Sequence, residues 1–329
     1  MKKIILTAVG ALAIAVLAVF SFTRPTPHTP APETLTVLLD WFPNTNHTGL
    51  YVAREKSYFA AQGLEVRILQ SEGSSDQIVA AGKADVAVSS EEAVVQARAA
   101  GVPIISIAAI IQHNTSAFAS LKNADIATVK NFEGKRYGGW GSPIEEAVLT
   151  AVMRDANADY GNVKNVTIGT TDFFSTIGRE ADFQWIFYGW DGVEAARRGI
   201  DLNLIWLKDL DSALDYYTPV LIASERAMRE QSDKMRRFMA AVTQGYTYAI
   251  AHPDESAEIL IRAAPELNAD LVRASQTWLS PHYQDDAPQW GMQQREVWER
   301  YARWLYDHGV IKEMIDTNRA FTNAFLPSP

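Results

Sequence analysis

Short apolar runs alternate with stretches of helical spacing along most of the chain. Residues 35–39, 64–69, 85–88 and 104–111 are compact apolar runs of strand length, while 48–56, 75–81 and 91–100 carry the spacing of helices. Gly63, Gly82 and Gly101 supply C-terminal stops. This alternation predicts βαβ units on a parallel sheet. A second series follows, with strands at 135–139, 166–169, 183–188 and 203–207 and helices at 142–156, 173–179 and 192–198. One more β-branched run, 218–223, predicts a strand, and from Glu225 onward the pattern turns almost wholly helical, with its longest helix at 232–251. At 295–308, Trp298, Tyr301 or Ala302, and Leu305 fall on one face, the spacing of ordinary core packing.

The pattern therefore predicts an α/β chain of two βα lobes with a helical C-terminal return. The chain would cross between lobes twice, near 118–122 and near 216–222, so that 35–119 plus 219–329 make one lobe and 120–218 the other. Ahead of them, Lys2 and Lys3 precede an apolar run without charge that reaches Phe22. Residues 1–22 read as an export signal, cleaved or kept as an anchor, and the proline-rich 23–34 as an extended spacer.

Charge and cysteine usage narrow the function classes. The chain has 39 acidic and 30 basic residues, a net charge of −9, and no basic block, which argues against nucleic acid and against an anionic membrane surface as partners. Cysteine is absent from all 329 positions, so neither a lipid-bearing cysteine nor a disulfide is available, and export without cysteine suits a bacterial periplasm. The six histidines show no metal-ligand spacing, and no phosphate-binding glycine loop or nucleophile elbow occurs.

Candidate chemistry gathers where predicted strands end and helices begin, the usual ligand position in α/β sheets. After the first strand come Trp41, Asn46 and His47; a buried ring and an Asn turn would explain the same residues. In GGWGSPIEE, Ser142 as N-cap, Pro143 and Glu145 form a capping box, with Trp140 among the glycines. Glu145 has two readings, a cap alone or a contact to the ligand's edge. In WIFYGWDG, Tyr188, Trp190 and Asp191 occupy the matching place in the second lobe, and Trp185 alternates into the core. Glu91 and Glu92 follow the third strand in the first turn of the next helix, where the helix dipole alone would favour them. Aromatics beside amides and carboxylates suit a flat, neutral heteroaromatic ligand; a multiply charged one would call for Arg or Lys.

At LDWFPNTNHTGLYVAREKSYF, GKADVAVSSEE, GKRYGGWGSPIEEAV and FYGWDG the chain resembles the periplasmic binding proteins of ABC importers related to yeast thiamin-pyrimidine synthase, from about Leu35 to Leu326. The resemblance implies a type II periplasmic-binding-protein fold, hinged lobes closing on a thiamin pyrimidine precursor, and a membrane permease with its ATPase as partners of a monomer. It matches Trp41 to a stacking aromatic and 140–142 to a second-lobe ligand loop. Riboflavin or another flat heterocycle is the alternative ligand. The fungal members hold pyridoxal phosphate on a lysine and consume a histidine; Ser89 and Ala93 stand at those positions here, and no cysteine occurs near 216–219, so an enzyme is not expected and no cofactor is implied.

Overall fold

In ETLTVLL the alternating Leu35, Val37 and Leu39 are buried against one core, while Leu38 faces a second core on the opposite side. A strand apolar on both faces belongs in the middle of a sheet. This strand, β1 (Glu33–Leu39), pairs in parallel with β2 (Leu64–Gln70) and with β3 (Val86–Ser89). The sheet is completed by β4 (Ile104–Ala109) and β10 (Val220–Ser224), in the order β2-β1-β3-β10-β4. A second sheet contains β5 (Ser116–Leu121), β6 (Arg136–Gly139), β7 (Lys164–Thr167), β8 (Phe183–Phe187) and β9 (Leu202–Trp206), in the order β7-β6-β8-β5-β9. The computed structural model describes residues 31–71, 73–169 and 171–328, so the export signal at 1–22 and most of the spacer expected at 23–34 lie outside the described residues.

Both sheets are mixed, where the pattern predicts parallel ones. β10 runs antiparallel to β3 and β4, and β5 runs antiparallel to β8 and β9. Each sheet thus holds one reversed strand, which enters it directly after the chain has crossed from the other sheet. β5 corrects the sequence reading. SAFASL is poor in β-branched residues, yet all but its last residue are buried, with Phe118 packed on Phe132, Phe183 and Trp185. The first crossing is therefore 110–115 rather than 118–122, and Ser116–Ala119 pair with the second sheet. The second crossing is 207–219, which overlaps the expected 216–222 only at 216–219, since 220–222 already belongs to β10. Likewise Glu33 and Thr34 belong to β1 and not to the spacer.

Hydrogen bonds tie the two crossings to one another. Asn114 donates its backbone N–H to Asp215 Oδ1 (2.9 Å) and its side-chain amide to the Leu214 carbonyl (2.8 Å), and His113 Nδ1 lies 2.7 Å from Asp215 Oδ2. The C-terminal return is helical as expected. Its longest helix, Ser232–Ala251, packs on Thr48–Glu55, and in Arg295–Asp307 the side chains of Trp298, Tyr301, Ala302 and Leu305 are all buried. Among the described residues no helix is long and apolar enough to cross a membrane.

Candidate functional site

Asn44 organises the loop after β1. Its side chain accepts from the Asn46 N–H (2.9 Å), and its own N–H donates to His47 Nδ1 (3.2 Å). With Nδ1 accepting, the proton sits on Nε2, which donates to Asp40 Oδ1 at 2.8 Å. His47 is fully buried, braces Asn44 and Asp40 and does not line the cavity. The backbone carbonyls of Asn46 and Thr45 accept from the Tyr246 and Tyr283 hydroxyls. Trp41 and Phe42 lie tilted against each other with ring centroids 3.9 Å apart, Trp41 is 37% exposed, and both line a cavity of about 650 Å³ together with Asp40 and Asn46.

The glycine loop after β6 faces the same cavity. Trp140, also 37% exposed, projects into it and tilts against Trp185 at 5.3 Å. Glu145 fixes the loop from behind. Its carboxylate accepts from the Tyr137 hydroxyl (2.6 Å) and from the N–H groups of Trp140 (3.1 Å), Gly141 (2.8 Å) and Ser142 (2.8 Å). A Cβ on Gly139 would lie 2.6 Å from that carboxylate, so glycine there is what lets Glu145 reach the loop. Glu145 and Ser142 therefore build the helix cap and do not line the cavity, because every free lobe of the carboxylate already has a donor.

The third wall comes from β8 and the π-helical turn Tyr188–Gly192. The end of β8 meets the cavity with Gln184, Trp185, Ile186 and Phe187, of which Trp185 and Phe187 share one face of the strand. Trp185, expected in the core, is nearly buried yet lines the cleft, and Phe187 is 39% exposed. Tyr188 turns the other way, packs between Trp206 and Trp278 and lines neither chamber. Trp190 does face the cavity and meets Phe42 edge-on at 5.8 Å, joining the two sheets over it. Asp191 lines the cavity too; burial, with a contribution from the Asp172 carboxylate, pushes it up to about 7.

Of the two glutamates after β3 only one reaches the cleft. Glu91 is fully buried and accepts the Tyr217 N–H (2.8 Å), which clasps the second crossing to the helix Glu91–Ala99; burial pushes it up to about 8. Glu92 lines a smaller chamber of about 360 Å³, which shares Asp40, Trp140, Trp185, Phe187 and Thr218 with the larger one. Burial raises Glu92 to about 7, opposed by a hydrogen bond from Gln96. Phe42, Phe187, Asp172 and Asp76 line the chambers and were missed by the motif reading; the alternation of FQWIF, read with Trp185 in the core, placed Phe187 there too.

The chemistry of the cleft is aromatic and acidic. No Lys, Arg or His lines either chamber among the described residues, and no group of acidic and histidine side chains there is arranged for a metal. Pyridoxal phosphate does not fit these residues. Ser89 and Ala93 line the smaller chamber, no amine is present to hold an aldehyde, and carboxylates in the wall repel a phosphate.

Two mixed sheets, the first in the order β2-β1-β3-β10-β4, with a ligand-sized cleft at their strand ends, define a two-lobed type II periplasmic-binding-protein fold. The aliphatic sulphonate binding protein SsuA of Escherichia coli has the same fold, with a TM-score of 0.68 at 13% identity over 88% of this chain and 91% of that one. Residues 44–256 match the NMT1/THI5-like family, and the chain belongs to it. It is 28% identical over 301 residues to the formylaminopyrimidine-binding protein of Halalkalibacterium halodurans, covering 89% of this chain and 91% of the relative. It is 24% identical over 298 residues to the 4-amino-5-hydroxymethyl-2-methylpyrimidine phosphate synthase of Legionella pneumophila, covering 89% and 92%.

Proposed function

We propose that this chain is the exported solute-binding subunit of an ABC importer, and that it captures a thiamin-type aminopyrimidine between two lobes and hands it to a membrane permease and its ATPase. The observation that carries this reading is the meeting of aromatic faces from both sheets over one cavity, with Trp41 and Phe42 following β1, Trp140 following β6 and Trp190 following β8. Such a cavity offers a flat ring two faces to stack on and carboxylates for its amino groups. The relative named for formylaminopyrimidine binding supports the ligand class. On this reading one lobe comprises 33–109 with 220–329 and the other 116–206, and the paired crossings at 110–115 and 207–219 act as the hinge.

The relative named as a synthase raises the competing reading of an enzyme. Ser89 and Ala93, at the positions of the fungal lysine and histidine, favour binding without turnover. The test is a tryptophan-fluorescence titration with hydroxymethyl- and formylaminomethyl-aminopyrimidine and with riboflavin, paired with native mass spectrometry of the protein as isolated. Saturable quenching by a pyrimidine is expected. Binding of riboflavin alone would replace the ligand, and pyrimidine formed on incubation with pyridoxal phosphate and iron would replace the function.

A further inference from the structure

The smaller chamber is a built cavity that a stacked ring does not need. It opens from the aromatic chamber past Asp40, Trp140, Trp185, Phe187 and Thr218 and extends toward Asp76, Ser89 and Glu92. Each acid in its wall has one oxygen held from inside the protein. Ser89 Oγ donates to Asp76 Oδ1 (2.8 Å), Gln96 Nε2 to Glu92 Oε1 (3.1 Å) and His47 Nε2 to Asp40 Oδ1 (2.8 Å). The second oxygen of each accepts from no donor among the described residues, and no Lys or Arg there pairs with any of the three. The wall also carries the rings of Trp140, Trp185, Phe187 and Tyr216, with small and hydroxyl residues, among them Ser74, Ser75, Ser90 and Thr218, between them.

We propose that this chamber is a subsite for a protonated amine, so that the solute is a flat heterocycle carrying an ammonium arm. The inference rests on the proposed ring-binding function and adds the charge of the ligand. Carboxylates gathered in a partly dry cavity repel one another, and a cation arriving among them relieves that repulsion. An ammonium group has three N–H donors and no acceptor, which suits walls that offer free acceptors and aromatic faces. A hydroxyl arm brings one donor, and a phosphate or carboxylate arm meets charges of its own sign.

The experiment is calorimetric titration with two probes that share one ring, 4-amino-5-aminomethyl-2-methylpyrimidine and its 5-hydroxymethyl counterpart. Mildly alkaline buffer keeps the amine protonated and Glu92 ionised. The ammonium probe is expected to bind roughly tenfold tighter, the usual gap between charge-assisted and neutral hydrogen bonds. In Asp76→Asn and Glu92→Gln, each checked for folding by circular dichroism, that ratio falls toward one. Equal or tighter binding of the hydroxymethyl probe to the unaltered protein overturns the inference and leaves the ring-binding function standing. An unchanged ratio in both amide variants overturns the assignment to this chamber. Binding of neither probe overturns the inference together with the proposed pyrimidine ligand.

Discussion

Glu145 and Trp41 both sit just beyond the end of a strand, and their surroundings give them opposite work. Glu145 is 3% exposed and its carboxylate accepts from four donors, so Glu145→Ala leaves a hydroxyl and three N–H groups to find other partners. A buried group left unpaired costs about 1–3 kcal/mol, and urea unfolding of this variant is expected to lose at least that much. Trp41 is more than a third exposed, and its indole makes no hydrogen bond among the described residues. Trp41→Ala should leave the urea midpoint nearly unchanged while weakening ligand binding, since stacking alone contributes about 0.5–1.5 kcal/mol beyond area burial. Unaltered affinity in folded Trp41→Ala would remove the ligand from this cleft.

Between elements, the close approach of two helices fixes the loop that carries Trp41. A Cβ on Gly245, in the helix Ser232–Ala251, would lie 2.1 Å from the backbone carbonyl oxygen of Gly49, in the helix Thr48–Glu55. In an exposed helix, exchanging glycine for alanine gains about 1 kcal/mol of propensity. Here the sign reverses, because the atom in the way is backbone and overpacking typically costs about 1–3 kcal/mol. Gly245→Ala is expected to lower the melting temperature, and, since Thr48–Glu55 follows directly on the braced loop, to weaken ligand binding as well. Scanning fluorimetry and titration on one preparation check both effects; a stabilised variant would mean that the helices part without strain.

For the molecule as a whole, stability should fall from mildly acidic to alkaline pH. Burial raises Glu91 to about 8 and Glu92 and Asp191 to about 7, while its hydrogen bond to Asp215 raises His113 to about 9. Each folded-state value lies above the unfolded one, so the folded protein holds more protons through this window. The stabilisation is complete below the unfolded values and is lost as pH rises through the folded ones. Asp182, held down by Arg136, works the other way, but only near and below the ordinary carboxylate range. The melting temperature is therefore expected to decline from about pH 5 to pH 9, and Glu91→Gln to flatten its middle part. A curve that rises over that window would show that these carboxylates stay ionised.

Properties set by neighbours along the chain were legible in sequence. The capping box of Ser142 and Glu145, the long helix 232–251, the buried stripe of Trp298, Tyr301 and Leu305, and the strand–helix alternation all depend on residues a few positions apart. Trp41, Trp140, Trp190, Asn46, Asp191 and Glu92, read as candidates from their places at strand ends, line the two chambers because strand ends open onto clefts. Tertiary structure alone decided which way a side chain at a strand end turns and how far its polar atoms are already satisfied. Phe187 faces the cleft where Tyr188 faces Trp206 and Trp278, and His47, Glu91 and Glu145 are drawn inward by Asp40, Tyr217 and the glycine loop. Likewise SAFASL becomes a central strand only because β8 and β9 flank it, since its own propensity is weak and its strand partners lie more than sixty residues away.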